Sequence, residues 1–234
     1  MAPKRFRHWI DAGNIKCSLS ANPAAIHLIE ANLEKINWWH LSFNPAAIHL
    51  LEANPDKIHW ECFSANPAAI HMLEANEDKI NWEWLSMNPA AIHMLEANED
   101  KINWERLSAN PAAIHLLEGV KINWEYLSFN PAAIHLLEAN PDKIDWWGLS
   151  HNPAAIHLLE NNPGQIRWVN LSQNPAAIHM LEATPDKINW MWFSANPAIF
   201  EEINPPPFKE ELIQKVFEPR RVMRMGGPDW LDVV

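Results

Sequence analysis

The sequence predicts an all-α fold, an α-solenoid of about nine 22-residue repeats with two short helices each and with N- and C-terminal caps. Three observations lead there. The stretch from Asn44 to Ala65, NPAAIHLLEANPDKIHWECFSA, recurs with small changes from Asn22 to about Asn204, and self-similarity at a period of roughly 20 to 50 residues marks a repeat architecture. Prolines 23, 45, 67, 89, 111, 131, 153, 175 and 197 step by 22 residues, except for a step of 20 between Pro111 and Pro131. The unit is itself nearly doubled, since Asn44-Pro-Ala-Ala-Ile48 and Asn54-Pro-Asp-Lys-Ile58 share one pattern, and two similar halves imply two similar elements.

In the first half, Asn is a strong helix N-cap because its side-chain oxygen accepts an otherwise unpaired N–H of the first turn, and Pro suits the first helical position. Ala47, Ile48, Leu50 and Leu51 fall on one broad arc of a helical wheel, with His49 and Glu52 together beside it. In the second half the same reasoning makes Asn54 a cap, with Asp56, Asp142 and Asp186 in the first turn, where the helix dipole favours an anion. Ile58, Trp60 and Phe63 spread around that wheel, which fits a helix sandwiched between neighbours. A β-solenoid fares worse: the chain has one threonine, Thr184, no L-x-L alternation, and Asn-Pro-Ala-Ala is a poor strand.

Helices this short draw their stability from the stack. Trp38, Trp60, Trp82, Trp104, Trp124, Trp146, Trp168 and Trp190 recur at one place in each unit and are read as structural core. The step of 20 places a deletion at Glu118-Gly-Val-Lys121, and so a turn there. Residues 1–21 form the predicted N-terminal cap, 22–204 the tandem helical repeats, and 205–234 the C-terminal cap and tail. The ninth unit decays at Asn196-Pro-Ala-Ile-Phe200, Pro205-Pro206-Pro207 breaks the pattern, and Phe208 to Glu218 reads as a short amphipathic helix. Nine units at about 9 Å each would make a rod roughly 80 Å long.

Composition narrows the partners. The net charge of −11 is uneven: residues 1–16 hold four basic residues against one acidic, 17–207 nine against 23, and 208–234 five against five. An acidic array is a poor nucleic-acid surface, because backbone binding needs Lys and Arg to neutralise phosphates. No apolar run approaches membrane-spanning length. Cys17 and Cys62 lie in different repeats with no metal-site spacing, which points to a reducing compartment. The expectation is a protein partner, with neither nucleic acid nor membrane, in a reducing compartment and not secreted.

No reaction is read from these residues, so the expectation is a protein that is not an enzyme and needs no cofactor. His27, His49, His71, His93, His115, His135, His157 and His179 form a column, each three residues before a Glu. Stacked helices about 8–10 Å apart cannot close a zinc site from one such pair per unit. A structural imidazole bonded to Glu, Asn or backbone is expected, and no metal. The serines of the recurring L/F-S-x-N-P motif are expected to act as cap or turn hydroxyls.

Against this regularity, the position four before each helix-opening Asn changes: His40, Cys62, Trp84, Arg106, Tyr126, Gly148, Asn170, Trp192. The preceding position reads Trp39, Glu61, Glu83, Glu105, Glu125, Trp147, Val169, Met191. Variation against a fixed frame marks residues that the frame does not use. Trp, Tyr and Arg are the types enriched at interface hot spots, so Trp39, His40, Trp84, Arg106, Tyr126, Trp147 and Trp192 are the candidate protein-binding residues.

Runs such as Asn88-Pro-Ala-Ala-Ile-His-Met-Leu-Glu96 followed by Asp100-Lys-Ile-Asn-Trp104 resemble the short tandem-repeat proteins encoded, often in many copies, by giant nucleocytoplasmic DNA viruses. The resemblance covers roughly residues 22–204. It implies a viral origin and action in infected-cell cytoplasm or in the virion, and supplies no activity and no functional residues. Two readings follow. One is a scaffold that binds a host or viral protein through a face of the solenoid. The other is a structural component of a particle, or an array that self-associates through its terminal caps.

Overall fold

The computed structural model describes residues 4–117 and 122–202. The turn expected at Glu118–Lys121, the amphipathic helix expected from Phe208 to Glu218 and the C-terminal cap lie outside the described residues. The chain divides into two compact units, Phe6–Phe200 and Met1–Arg5 with Glu201–Val234. In the smaller one, Arg5 Nε lies 2.9 Å from Glu201 Oε1.

The larger unit is the all-α repeat solenoid that the period predicts, and its path closes on itself. Each first half forms a turn of 3-10 helix that runs into α-helix, as at Pro45–Ala47 and Ile48–Glu52. The Asn cap acts as expected, with Asn44 Oδ1 accepting the Ala46 N–H at 2.9 Å. The wheel also holds, since Ala47 and Leu51 are fully buried while His49 and Glu52 are exposed.

The second half differs from expectation. Pro55–Lys57 is a single 3-10 turn, Ile58 and His59 are extended, and the α-helix starts only at Trp60. Asn54 caps nothing by its side chain; its Nδ2 donates to the Leu50 carbonyl at 2.8 Å and so closes the first helix. The cap of the second helix is instead the residue before Trp, as where Asn81 Oδ1 accepts the Trp84 N–H at 3.1 Å. Ile58 therefore precedes the helix, which is why the wheel drawn through Ile58, Trp60 and Phe63 had no clean face.

Two buried polar ladders tie the units together. Asn44, Asn66, Asn88, Asn110, Asn130, Asn152, Asn174 and Asn196 each donate from Nδ2 to two carbonyls of the preceding unit, those of its Ser and its Asn. Each motif Ser also reaches forward: Ser42 Oγ donates to the Trp38 carbonyl at 2.8 Å and accepts the His59 N–H of the next unit at 3.1 Å. The serines are thus links between units and not only turn hydroxyls. The shortened unit keeps both ladders, with Asn123 N–H on Ser108 Oγ at 3.2 Å and Asn130 Nδ2 on the Ser108 carbonyl at 2.9 Å.

The ladders have no end. Asn22 Nδ2 donates to the Ser194 and Asn196 carbonyls at 3.1 and 2.8 Å, and the Lys16 N–H donates to Ser194 Oγ at 2.9 Å. The Arg7 N–H reaches the Ile199 carbonyl at 3.0 Å, the Ser18 hydroxyl bonds the Met191 carbonyl, and Trp9 stacks on Phe193. Cys17–Ala21 stands where the other units have their second helix, and Asn196–Ile199 supplies the matching first half. Residues 6–21 therefore do not cap an open stack: they complete a ninth unit built from both ends of the array. The unit is a nine-membered ring, and the expected rod is corrected accordingly. Strands β1 (Lys4–Phe6) and β2 (Phe200–Glu202) pair into a two-stranded sheet, with Phe6 stacked on Phe200.

The tryptophan column is corrected too. Buried leucines and phenylalanines of the L/F-S-x-N-P motif form the core, including Leu41, Phe63, Leu85 and Leu149 at zero exposure. Seven of the eight repeat tryptophans are half-buried and pack on the edge of that core, and Trp104 is 37% exposed. A Lys of the next unit lies over the indole in four cases, with Lys79, Lys101, Lys143 and Lys187 at 4.5 to 4.6 Å from Trp60, Trp82, Trp124 and Trp168.

Candidate functional site

The second helices turn their variable side chains toward the ring's interior, where they enclose a cavity of about 670 Å³. Its wall is built from seven of the nine units: Ala21, Trp39, His40, Phe43, Trp84, Phe129, Trp147, His151, Val169, Asn170, Gln173, Trp192 and Ala195. Residues so far apart in the sequence share one cavity because the ring is closed. Five of the seven candidate binding residues, Trp39, His40, Trp84, Trp147 and Trp192, line it. Arg106 and Tyr126 stand beside it: the Arg106 guanidinium lies 4.6 Å from the Trp84 ring and 5.7 Å from the Tyr126 ring, and Nη2 is 2.6 Å from Glu83 Oε1.

The face that most of these candidates share is the one turned to the ring's interior. Between neighbouring units, several of their sizes compensate. The position just before each helix-opening Asn reads Ala21, Phe43, Ala65, Met87, Ala109, Phe129, His151, Gln173, Ala195, and reading the column alone missed it. Ala65 precedes Trp84 and Ala109 precedes Tyr126 in the next unit, whereas Phe43 precedes Cys62 and Phe129 precedes Gly148; Met87 before Arg106 and Gln173 before Trp192 depart from the pattern. At Gly148 the contact is direct, for an added Cβ would sit 2.9 Å from Phe129 Cδ2. Met87 Sδ lies 3.7 Å from Arg106 Nη1. The inverse size pattern, at a spacing of 19 residues or of 17 across the shortened unit, was the signal that the sequence offered.

Aromatic edges dominate the lining. Phe43 meets Trp39 at 5.3 Å and Trp84 at 5.7 Å between ring centroids, and Phe129 meets Trp147 at 5.1 Å and His151 at 5.8 Å. Burial lowers the pKa of both His40 and His151, so the imidazoles are neutral donors and acceptors at neutral pH. His40 Nδ1 is buried with no hydrogen-bond partner among the described residues. The same desolvation pushes the Cys62 thiol up to about 12, which leaves it an inert filler.

The histidine column has a separate, outer place. His49, His71, His93, His157 and His179 each set Nε2 2.7 to 2.9 Å from a Glu carboxylate of the preceding unit, and His115 is 3.5 Å from Glu96. The imidazole does bond Glu, as the sequence suggested, but the Glu 19 residues before it and not the one three residues after. No protein-family model matches this chain, and no curated protein or solved structure matches it.

Proposed function

We propose that this chain is a non-enzymatic binding ring that holds a protein partner through its axial cavity, an apolar side chain of that partner entering between the tryptophans. One observation carries the reading: five of the seven candidate side chains that differ from unit to unit line one aromatic cavity, while those that repeat build the ring. A cavity of about 670 Å³ is within the range of about 300 to 1,000 Å³ typical of ligand sites, with apolar walls and a few polar groups. Asn170, Gln173, His40 and His151 supply those polar groups. The viral origin and the infected-cell or virion location suggested by the repeat motif belong to the same proposal.

Affinity capture tests it, with the intact chain against a W84S/W147S/W192S variant. A discrete protein held by the intact chain and released by the variant, at unchanged far-ultraviolet circular dichroism, supports the cavity. Equal retention by both, or recovery of the chain itself alone, overturns it. The latter result would favour the alternative, a self-assembling structural component. Such assembly would use ring surfaces, since Lys16 and Asn22 are bonded to Ser194 and Asn196 of the same ring.

A further inference from the structure

Closure of the ring sorts one column of exposed side chains into two arcs. The position five before each helix-opening Asn carries Trp39, Glu61, Glu83, Glu105, Glu125, Trp147, Val169 and Met191, and the register places Cys17 there in the ninth unit. Cys17 Sγ is 3.8 Å from Met191 Sδ, as neighbours in that column should be. Around the ring, an apolar arc runs from Trp147 through Val169, Met191 and Cys17 to Trp39, and an acidic arc fills the rest. In the sequence the apolar arc is split between the two ends of the array.

The apolar arc is out of proportion to the rest of the surface. Trp39, Trp147, Val169 and Met191 are 41 to 53% exposed and make up four of the six exposed large hydrophobic residues among the described residues. Scattered apolar residues need no explanation, whereas a contiguous set beside a polar rim marks an interaction surface. Trp39, Trp147 and Val169 also line the cavity, so the arc borders its mouth. On the acidic arc Arg106 neutralises Glu83 at 2.6 Å. Glu61, Glu105 and Glu125 are exposed and hold no ion-pair partner among the described residues.

We infer that this rim docks a cationic, amphipathic segment of the partner protein, its apolar side on the Trp147-to-Trp39 arc and its Lys or Arg side chains over the glutamates. The inference rests on the cavity reading and names the chemistry of the partner at that site. Charge complementarity selects this occupant. A second copy laid rim to rim would set glutamates against glutamates or bury carboxylates against indoles, and both arrangements cost free energy. A strand of nucleic acid or an anionic lipid surface would meet the same repulsion.

The test is a fluorescence-anisotropy titration of the full chain with a labelled amphipathic helical peptide of leucine and lysine, its order-scrambled isomer, and its counterpart with glutamate for lysine. The expected result is saturable binding of the first peptide, weakened about tenfold or more by scrambling, by W39S/W147S and by E61Q/E105Q/E125Q, with no binding of the glutamate peptide. Equal binding of the scrambled peptide, or indifference to either arc's variant, overturns the inference. So does a dimer in sedimentation velocity that W39S/W147S dissolves, which would assign the arc to a second copy. A W84S/W192S variant separates the two readings. If it loses its captured partner while E61Q/E105Q/E125Q and M191S, which leave the cavity wall intact, keep theirs, the cavity stands and the rim falls; if peptide binding follows those two variants while capture ignores W84S/W192S, the cavity falls and the rim stands.

Discussion

A single asparagine shows how the ring is held. Asn88 is fully buried; it accepts the Ala90 N–H at 3.0 Å and donates to the Ser64 and Asn66 carbonyls at 3.0 Å each. The Asn66 carbonyl keeps the Ala69 N–H as a second partner, so Asn88→Ala orphans chiefly the Ala90 N–H and the Ser64 carbonyl. The buried Ser64 carbonyl left unpaired costs about 1 to 3 kcal/mol and the lost cap on the part-buried Ala90 N–H about 1 kcal/mol, so the expected loss is about 2 to 4 kcal/mol, to be measured by urea unfolding. Gly148 illustrates the compensating sizes. An alanine Cβ would meet Phe129 at 2.9 Å and the Glu125 carbonyl oxygen at 3.0 Å, so Gly148→Ala should cost about 1 to 3 kcal/mol, and a double-mutant cycle with Phe129→Ala should recover part of it. The two cavity histidines set a pH dependence. Their folded pKa values lie below the ordinary 6.5, so as pH falls below that value the unfolded chain binds protons first. Stability therefore decreases from about pH 6.5 downward, levels off once the folded imidazoles protonate, and does not change on this account above 6.5. Replacing both with Gln should flatten that slope in unfolding measured at about pH 7.5 and about pH 5.5. At this scale the sequence revealed which residues were unusual, because Trp84, Tyr126 and Trp192 break a strict frame. It did not reveal their direction, because a residue half-buried in an interior cavity and one on an outer face leave the same trace when only their own column is read.

At the scale of the element, the first helix was legible and the second was not, for one reason. Asn-Pro opens a helix at Asn44 and only a 3-10 turn at Asn54. What separates them is the next step of backbone: Ile48 is helical at ψ −46°, whereas Ile58 is extended at ψ 124°. The true cap of the second helix is the residue before Trp, usually Asn, whose place inside Lys-Ile-Asn-Trp hid it beside the more conspicuous Asn-Pro. His59 and Arg167 occupy that position without a side-chain bond, while Asn81, Asn103, Asn123, Asp145 and Asn189 all accept the N–H three residues on. His59→Asn and Arg167→Asn should therefore each stabilise the ring by about 0.5 to 2 kcal/mol, seen as a rise in urea midpoint at unchanged slope. Their effects should add, since the two helices share no partner.

At the scale of the ring, the repeat number and the helical class followed from period and composition, and closure did not. The half-motif Leu19-Ser20-Ala21-Asn22 at one end and the lone Asn196-Pro-Ala-Ile199 at the other each look like decay when read alone. Only in space are they two parts of one unit. An open stack of repeats has ends, where each unit has one neighbour and an interfacial contact is worth little; in a closed ring every interface is interior. Asn22 tests which case holds. Its Nδ2 bonds to the Ser194 and Asn196 carbonyls, and its Oδ1 accepts the Ala24 N–H at 2.9 Å, the set that Asn88 makes in the middle of the sequence. If the ring is closed, Asn22→Ala costs as much as Asn88→Ala and unfolding stays a single transition by fluorescence and circular dichroism. If the array were open at that point, Asn22→Ala would cost only the local cap, about 1 kcal/mol, and the first unit would fray in hydrogen exchange well before the rest. Equal losses would mean that the chain's first and last units hold each other, and with them the cavity and the apolar arc that exist only because they meet.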